Sequence, residues 1–174
     1  WKHSLDIDLT GTFLVCRESG KFMSDKGGSI INISSIYGIV GPDHRIYEEQ
    51  DFKSLPGYSA SKAGVIGLTR QLALELGPYG ITINCVSPVD TVTERMEELS
   101  SGGGTDWPES AEDMIARYKT YPLGRPSEAK EVADVILFLA SNESKYVSGE
   151  NIIIAGACYG HHAQSKFLKI EREK

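Results

Sequence analysis

The sequence predicts an α/β protein built on a doubly wound parallel sheet, and three observations carry that reading. Gly28 to Ser35 and Gly80 to Pro88 are apolar runs opened by glycine, the pattern of buried strands; helix-period segments alternate with them; and a short third run, Ile152 to Ala155, follows a further helical segment. Strands separated by helices in this way pair in parallel, and ligands of such sheets bind beyond the carboxyl ends of the strands. Ser35 and Pro88 both fall on that rim.

In chain order, residues 4 to 24 read as a helix with Leu5, Leu9, Phe13 and the pair Cys16 and Arg17 on one recurring stripe. The first strand, about 29 to 35, ends in two hydroxyls. A helix over 58 to 77 is stopped by Gly77-Pro78, and a second strand, about 81 to 86, runs up to Pro88. Ser100 to Pro108 is polar and glycine-rich around Trp107; it reads as a lid over a substrate or as a plain loop, ahead of a helix at about 109 to 119. Ser127 is the expected N-cap of a helix reaching about Ala140, with Glu128 and Glu131 in its first turns. A third strand spans about 151 to 155, and residues 161 to 174 form a polar tail.

Composition bounds the function. The length of 174 residues suits one domain, and a net charge of −6 argues against nucleic acid or anionic membrane as the main partner. The longest apolar run, Val135 to Ala140, is far short of the roughly 20 residues a membrane span needs. Cys16, Cys85 and Cys158 are odd in number and fall on a helix, a strand and a turn, which points to buried thiols and a cytoplasmic protein. His161-His162 has no further ligand nearby in sequence, so no metal site is expected.

The chemistry concentrates at Tyr58-Ser-Ala-Ser-Lys62. A tyrosine and a lysine four positions apart on a helix share one face, with Cβ atoms roughly 5–6 Å apart. A phenol in water loses its proton only at about pH 10. A fixed ammonium beside it favours phenolate, so the pair can exchange a proton near neutral pH. Singly, Tyr58 reads equally well as a helix-start aromatic, Lys62 as a solvated charge and Ser35 as a strand-end cap. Their placement on one rim favours the chemical reading.

Five pieces, in order, resemble the short-chain dehydrogenase/reductase family over about residues 1 to 160. They are Asp8-Leu-Thr-Gly-Thr-Phe-Leu14; the strand ending Asn32-Ile-Ser-Ser35; Tyr58-x-x-x-Lys62-Ala-Gly64; Leu72-Ala-Leu-Glu-Leu-Gly-Pro-Tyr-Gly-Ile-Thr-Ile-Asn-Cys-Val-Ser-Pro88; and Pro122-Leu-Gly-Arg-Pro126 with Tyr146-Val-Ser-Gly149. The resemblance implies a Rossmann-like fold and NAD or NADP as cofactor. It makes Tyr58 the general acid/base, has Lys62 lower its pKa and bind the nicotinamide ribose, and has Ser35 orient and polarise the substrate oxygen. Asp8 stands where most relatives have an asparagine that supports the lysine through a water. The same resemblance assigns nicotinamide contacts to Pro88, Val89, the backbone of Thr91 and the side chain of Thr93.

The departures from the family pattern are specific. Relatives have Pro-Gly where this chain has Pro88-Val89, and a β-branched residue resists the positive φ that glycine permits. The terminal Asp-Gly-Gly becomes Ala155-Gly156-Ala157. Ser35 and Tyr58 are 23 positions apart, about twice the spacing of the compact branch of the family. The insertion from Ile36 to Gly57 resembles that of relatives acting on sugars or nucleotide sugars. Tyr37, Asp43, His44, Arg45, Tyr47 and Glu48 supply the paired donors and acceptors a polyol needs, or form a charged surface loop, and Ser35, Tyr37 and Tyr47 are the expected substrate contacts.

The family's glycine-rich phosphate turn and its cofactor-selecting charge have no counterpart here. The chain therefore looks like the carboxyl-terminal part of a longer domain, which leaves the first strand with an open edge and the main cofactor-binding half elsewhere. The expected function is hydride transfer between NAD(P) and a secondary alcohol or ketone, sugar-like in character. The alternatives are a 3-oxoacyl or small-ketone reductase and an inactive family member serving as a binding or assembly subunit. The expected partners are a small-molecule substrate and further copies of the chain, as a homodimer or homotetramer. Gly64, Gly67, Leu68, Leu72, Ala73 and Leu76 suit close packing against another helix.

Overall fold

The computed structural model describes residues 1–42, 56–94 and 116–158. Its opening helical stretch consists of α1 (Lys2–Ser4), a π-helical turn at Leu5–Thr10, and α2 (Gly11–Met23). Then come β1 (Gly28–Ile33), a 3-10 turn at Ile36–Gly38, α3 (Pro56–Leu76), β2 (Ile81–Pro88) and β3 (Thr91–Val92). β4 (Ser127–Glu128), α4 (Ala129–Ala140) and β5 (Asn151–Ile154) follow, with further 3-10 turns at Gly77–Tyr79 and Asn142–Ser144.

β1, β2 and β5 form a parallel sheet in that order. Gly28 faces Ile81 and Ile33 faces Val86 across the first pair, and Cys85 to Pro88 face Asn151 to Ile154 across the second. β2 takes the centre because it is buried toward both faces: Ile81, Ile83 and Cys85 on one and Asn84 and Val86 on the other are each at most 1% exposed. Ile83 packs with Cys16 and Leu72, and Cys85 with Val65 and Ile66, so the odd-numbered face meets α2 and α3. Ser29, opposite Thr82, points to the other face, where its hydroxyl donates to the Leu139 carbonyl of α4 at 2.8 Å. Helices thus cover both faces of the sheet.

One buried polar chain fixes β1 against its helices. The Cys16 thiol donates to Asn32 Oδ1 at 3.2 Å, Asn32 Nδ2 to Thr69 Oγ1 at 2.9 Å, and the Thr69 hydroxyl to the Val65 carbonyl at 2.9 Å. Every link has a partner, so the chain specifies the α2–β1–α3 register without an orphaned polar group. Burial raises the Cys16 and Cys85 thiols, the latter to about 11, which leaves both protonated and unreactive at neutral pH.

Several expectations are corrected. The stripe through Phe13 breaks at the π-helical turn, whose extra residue advances the helical phase: Cys16 and Gly20 are buried, Arg17 is exposed and Phe13 is 39% exposed. Leu68, Leu72, Ala73 and Leu76 pack inside the chain on Cys16 and Ile83, so the stripe expected for self-association is the chain's own core. Gly64 also packs internally, since a Cβ there would stand 2.7 Å from Leu9 Cδ2, whereas Gly67 faces open space. Glu128, not Ser127, caps α4, in a capping box with Glu131. Ser127 fails as a cap because its hydroxyl is engaged with Thr91 Oγ1 at 2.8 Å.

Among the described residues β1 pairs on one side only, and no helix is long and apolar enough to cross a membrane. No cluster of three His, Cys, Asp or Glu side chains able to hold a metal occurs among them either. Residues 43–55, which include Tyr47, the glycine-rich stretch 100–108, and the tail 161–174 lie outside the described residues.

Candidate active site

The site is assembled where the chain leaves β1 and enters α3. Ser34 N donates to the Val86 carbonyl at 2.8 Å, carrying the strand direction one residue past β1. The Ser34 hydroxyl then donates to the Lys62 carbonyl at 2.8 Å, tying the strand end to the backbone of α3. Ser35 is extended and buried, and its Oγ accepts from Tyr37 N at 3.1 Å, which starts the 3-10 turn. That turn presses on α3 at Gly38: a Cβ there would lie 2.8 Å from the Lys62 carbonyl carbon and 2.9 Å from both its oxygen and Ser34 Oγ. Only glycine permits this approach.

α3 opens with Pro56 in its first turn, where a missing N–H costs nothing. Gly57 is buried against Ser4 and Trp1, which fixes the direction from which Tyr58 enters. Tyr58 is 37% exposed at the rim. One turn on, Lys62 Nζ lies 5.5 Å from the Tyr58 ring centroid and donates to the Ile33 carbonyl at 3.3 Å. Asp8 arrives from the π-helical turn, and its Oδ2 accepts from Ser61 Oγ at 3.0 Å. Ser35, Tyr58, Lys62 and Asp8 are therefore gathered around one end of α3.

The electrostatics differ from the simple tyrosine–lysine expectation. Burial pushes the Tyr58 phenol above its ordinary value; a hydrogen bond with Ser35 pulls it back, and the carboxylates of Asp8 and Asp90 push it further up. The direction is upward, opposite to the lowering expected from Lys62, whose ammonium is directed at the ring face and the Ile33 carbonyl. In this geometry the phenol is a proton donor at neutral pH, held beside the Ser35 hydroxyl.

Pro88, Val89, Thr91 and Thr93 follow at the carboxyl end of β2. Val89 N donates to the Ile154 carbonyl at 3.0 Å, and Val89 needs no positive φ; among described non-glycine residues only Ala157, at φ 64°, has one. The strain anticipated at Val89 lies instead at Ala157, in the Ala155-Gly156-Ala157 turn. Thr91 Oγ1 bonds to the Val89 carbonyl at 3.0 Å, and Thr91 and Val92 pair in parallel with Ser127 and Glu128. A cavity of about 110 Å³ beside this loop is lined by Val89, Pro126, Ser127, Ile154 and Gly156, without Tyr58.

A second polar group went unread in the sequence. Arg117 Nη1 and the Tyr121 hydroxyl both donate to Asp90 Oδ2, and Arg117 Nη1 reaches Tyr121 Oη at 2.8 Å. Burial first, then Asp90, holds the Tyr121 phenol far above its usual range. The sole sequence signal was the i, i+4 spacing of Arg117 and Tyr121, which spans the end of the expected helix.

A family model described as Enoyl-(Acyl carrier protein) reductase matches residues 1–157. Trans-4-hydroxycyclohexanecarboxylate dehydrogenase of Sinomonas cyclohexanicum is 41% identical over 156 residues, covering 90% of this chain and 51% of that protein. Among solved structures, a short-chain dehydrogenase from Leptospira borgpetersenii with bound NAD+ superposes at TM-score 0.71 with 34% identity, over 87% of this chain and 53% of the other. A putative 2-deoxy-D-gluconate 3-dehydrogenase from Agrobacterium tumefaciens with bound NADP gives TM-score 0.74 at 26% identity, over 92% and 58%. The chain spans about half the length of the relatives it matches. With the Ser35, Tyr58 and Lys62 constellation and the parallel sheet that carries it, these matches establish that the chain belongs to the short-chain dehydrogenase/reductase family.

Proposed function

We propose that the protein carrying this chain is an NAD(P)-dependent oxidoreductase that interconverts a secondary alcohol and a ketone, with Tyr58 as the general acid/base. The observation that carries this reading is the gathering of Tyr58, Lys62 and Ser35 at the open rim, with the Lys62 Nζ 5.5 Å from the Tyr58 ring centroid and the buried Ser35 hydroxyl at the end of β1. Two hydroxyls so placed can grip one substrate oxygen, Ser35 orienting and polarising it while Tyr58 gives or takes its proton. The donor set also fits the nicotinamide end of the cofactor: Lys62 offers an ammonium to a ribose diol, and the backbone of Thr91 with the Thr93 side chain suits a carboxamide. The cofactor, when bound, supplies or accepts the hydride. Asp8 anchors Ser61 beside the Tyr58 carbonyl and so steadies the helical turn that carries both reacting side chains.

For the substrate we favour a polyhydroxylated, sugar-like molecule. Tyr37, whose backbone bonds Ser35, belongs to the insertion that supports this choice, and the gluconate-type neighbour agrees with it. A 3-oxoacyl thioester is the second reading, favoured by the acyl-carrier-protein description of the family model. Self-association as a homodimer or homotetramer in the cytoplasm completes the proposal; it is supported by the exposed apolar side chains Val15, Phe22 and Leu74 on α2 and α3. A spectrophotometric assay with NAD and NADP against sugar alcohols, cyclohexanols and 3-hydroxyacyl thioesters tests it. Turnover of a polyol at the highest kcat/KM is expected. No turnover of any secondary alcohol or ketone would contradict the assignment.

A further inference from the structure

The loop after β2 is fastened through its backbone and through one carboxylate. Val89 N donates to the Ile154 carbonyl of β5 at 3.0 Å, and the Asp90 carbonyl accepts from Ser127 N at 3.0 Å and from Ser127 Oγ at 3.2 Å. Thr91 Oγ1 meets Ser127 Oγ at 2.8 Å where Thr91 and Val92 pair with β4. That ladder joins strands of 2 residues each, shorter than the roughly 3–10 residues of an ordinary strand, so it is a weak hold by itself.

The Asp90 side chain supplies a second hold. Its Oδ2 accepts from Arg117 Nη1 and from the Tyr121 hydroxyl. Both donors are themselves fixed: the Arg117 guanidinium lies 5.0 Å from the Tyr118 ring centroid, Arg117 Nη1 reaches Tyr121 Oη at 2.8 Å, and the buried Tyr118 meets Tyr121 edge-on with ring centroids 5.6 Å apart. The Arg117 side chain is only 12% exposed and that of Asp90 33%, so solvent screens this pair less than the surface pairs of the chain, and removal of one partner leaves the other uncompensated.

We propose that Asp90 is a positioning residue for the nicotinamide end of the cofactor: the clasp of Arg117 and Tyr121 on its carboxylate fixes the loop that presents the Thr91 backbone and the Thr93 side chain to the carboxamide. The role rests on the proposed cofactor contacts of Thr91 and Thr93 and adds what holds them in place. Thr91 directly follows Asp90 and Thr93 stands three positions on, so freedom gained at Asp90 passes to both. A loop already ordered binds without the entropic cost of ordering it, whereas a released loop must be ordered by the cofactor. Releasing the clasp therefore weakens the nicotinamide contacts and leaves the adenosine and pyrophosphate contacts, which this loop does not make, as they were.

Calorimetric titration of the whole protein with NAD(H) and NADP(H), and with ADP-ribose or its phosphorylated form as the same molecule without nicotinamide, separates the two ends. We expect Asp90→Ala to weaken dinucleotide binding about tenfold, the equivalent of about one lost hydrogen bond, with ADP-ribose affinity unchanged. Tyr121→Phe removes one donor and keeps the ring against Tyr118, so it should give a smaller loss of the same kind. Because Arg117 acts through Asp90, Arg117→Met added to Asp90→Ala should cost no further dinucleotide affinity. Equal weakening of dinucleotide and ADP-ribose would mean that the clasp merely holds the fold, and wild-type dinucleotide affinity in Asp90→Ala would mean that the loop is ordered without it; either result overturns the role. Tyr121→Phe decides by the same comparison if Asp90→Ala does not fold. Failure of the NAD(P) reading is seen separately, in wild-type protein that binds neither dinucleotide, and takes this role with it.

Discussion

Gly38→Ala probes the contact that joins the strand end to α3, the helix of Tyr58 and Lys62. An added Cβ would meet the Lys62 carbonyl carbon at 2.8 Å, its oxygen at 2.9 Å and Ser34 Oγ at 2.9 Å. The first two are backbone of α3 and cannot rotate aside; the third can move only by giving up its 2.8 Å bond to the Lys62 carbonyl. Overpacking of this kind costs about 1–3 kcal/mol, and loss of the hydrogen bond adds about 1 kcal/mol. Reduced freedom of the unfolded chain returns about 0.4–1 kcal/mol, leaving a net destabilisation of roughly 2 kcal/mol. Because the helix yields at Lys62, turnover should fall as well, by about tenfold or more for a sub-ångström displacement of Tyr58. Urea denaturation at matched protein concentration, with a steady-state rate on the same samples, reads both quantities. Gly67→Ala is the control: nothing lies within 4 Å of that Cβ, and the exchange should stabilise α3 by about 0.5–1 kcal/mol. A Gly38→Ala protein as stable and active as wild type would refute the described closeness of the turn to α3.

Three further outcomes are expected. Ala157→Gly relieves a side chain at φ 64° and should raise stability by up to about 1 kcal/mol, read as a higher Tm; a loss of stability would contradict the left-handed turn. The Glu131 carboxyl is held down at about 2 by the Arg125 guanidinium and the Glu128 backbone N–H. Its stabilising effect is therefore complete above the ordinary carboxylate pKa and lost as the pH falls toward 2, so Glu131→Gln should flatten the acid limb of the stability profile, measured by denaturation from pH 6 to 2.5. Leu74→Lys, at a side chain 76% exposed on α3, should reduce the sedimenting species to monomer; an unchanged assembly would place the self-association surface elsewhere.

The three strands of the main sheet and the Tyr58 and Lys62 pair were legible because each is a local pattern. Ile81, Ile83 and Cys85 announce a strand with one apolar, buried face, and Tyr58 and Lys62 share a helix face by spacing alone. What escaped depends on partners distant in sequence. Ser127 is the better N-cap by residue type, yet Thr91, 36 positions away, takes its hydroxyl and the role passes to Glu128. Asp90 gains its meaning from Arg117 and Tyr121, 27 and 31 positions on. The π-helical turn at Leu5–Thr10 shifts the helical phase without a residue type that marks it, so the stripe expected through Phe13 leaves that side chain exposed. The upward shift of the Tyr58 phenol required knowing that the fold buries it, while the Lys62 ammonium turns to the Ile33 carbonyl.

The central claim is that Tyr58 carries the proton in a reaction whose hydride comes from NAD(P). Its most direct test pairs two numbers on one variant of the whole protein, kcat and the dissociation constant for NAD(H) or NADP(H), for Tyr58→Phe against wild type. Loss of a positioned acid/base predicts a fall in kcat of about 10² or more with cofactor affinity largely kept. Turnover at the wild-type level, with the cofactor still bound, would contradict it.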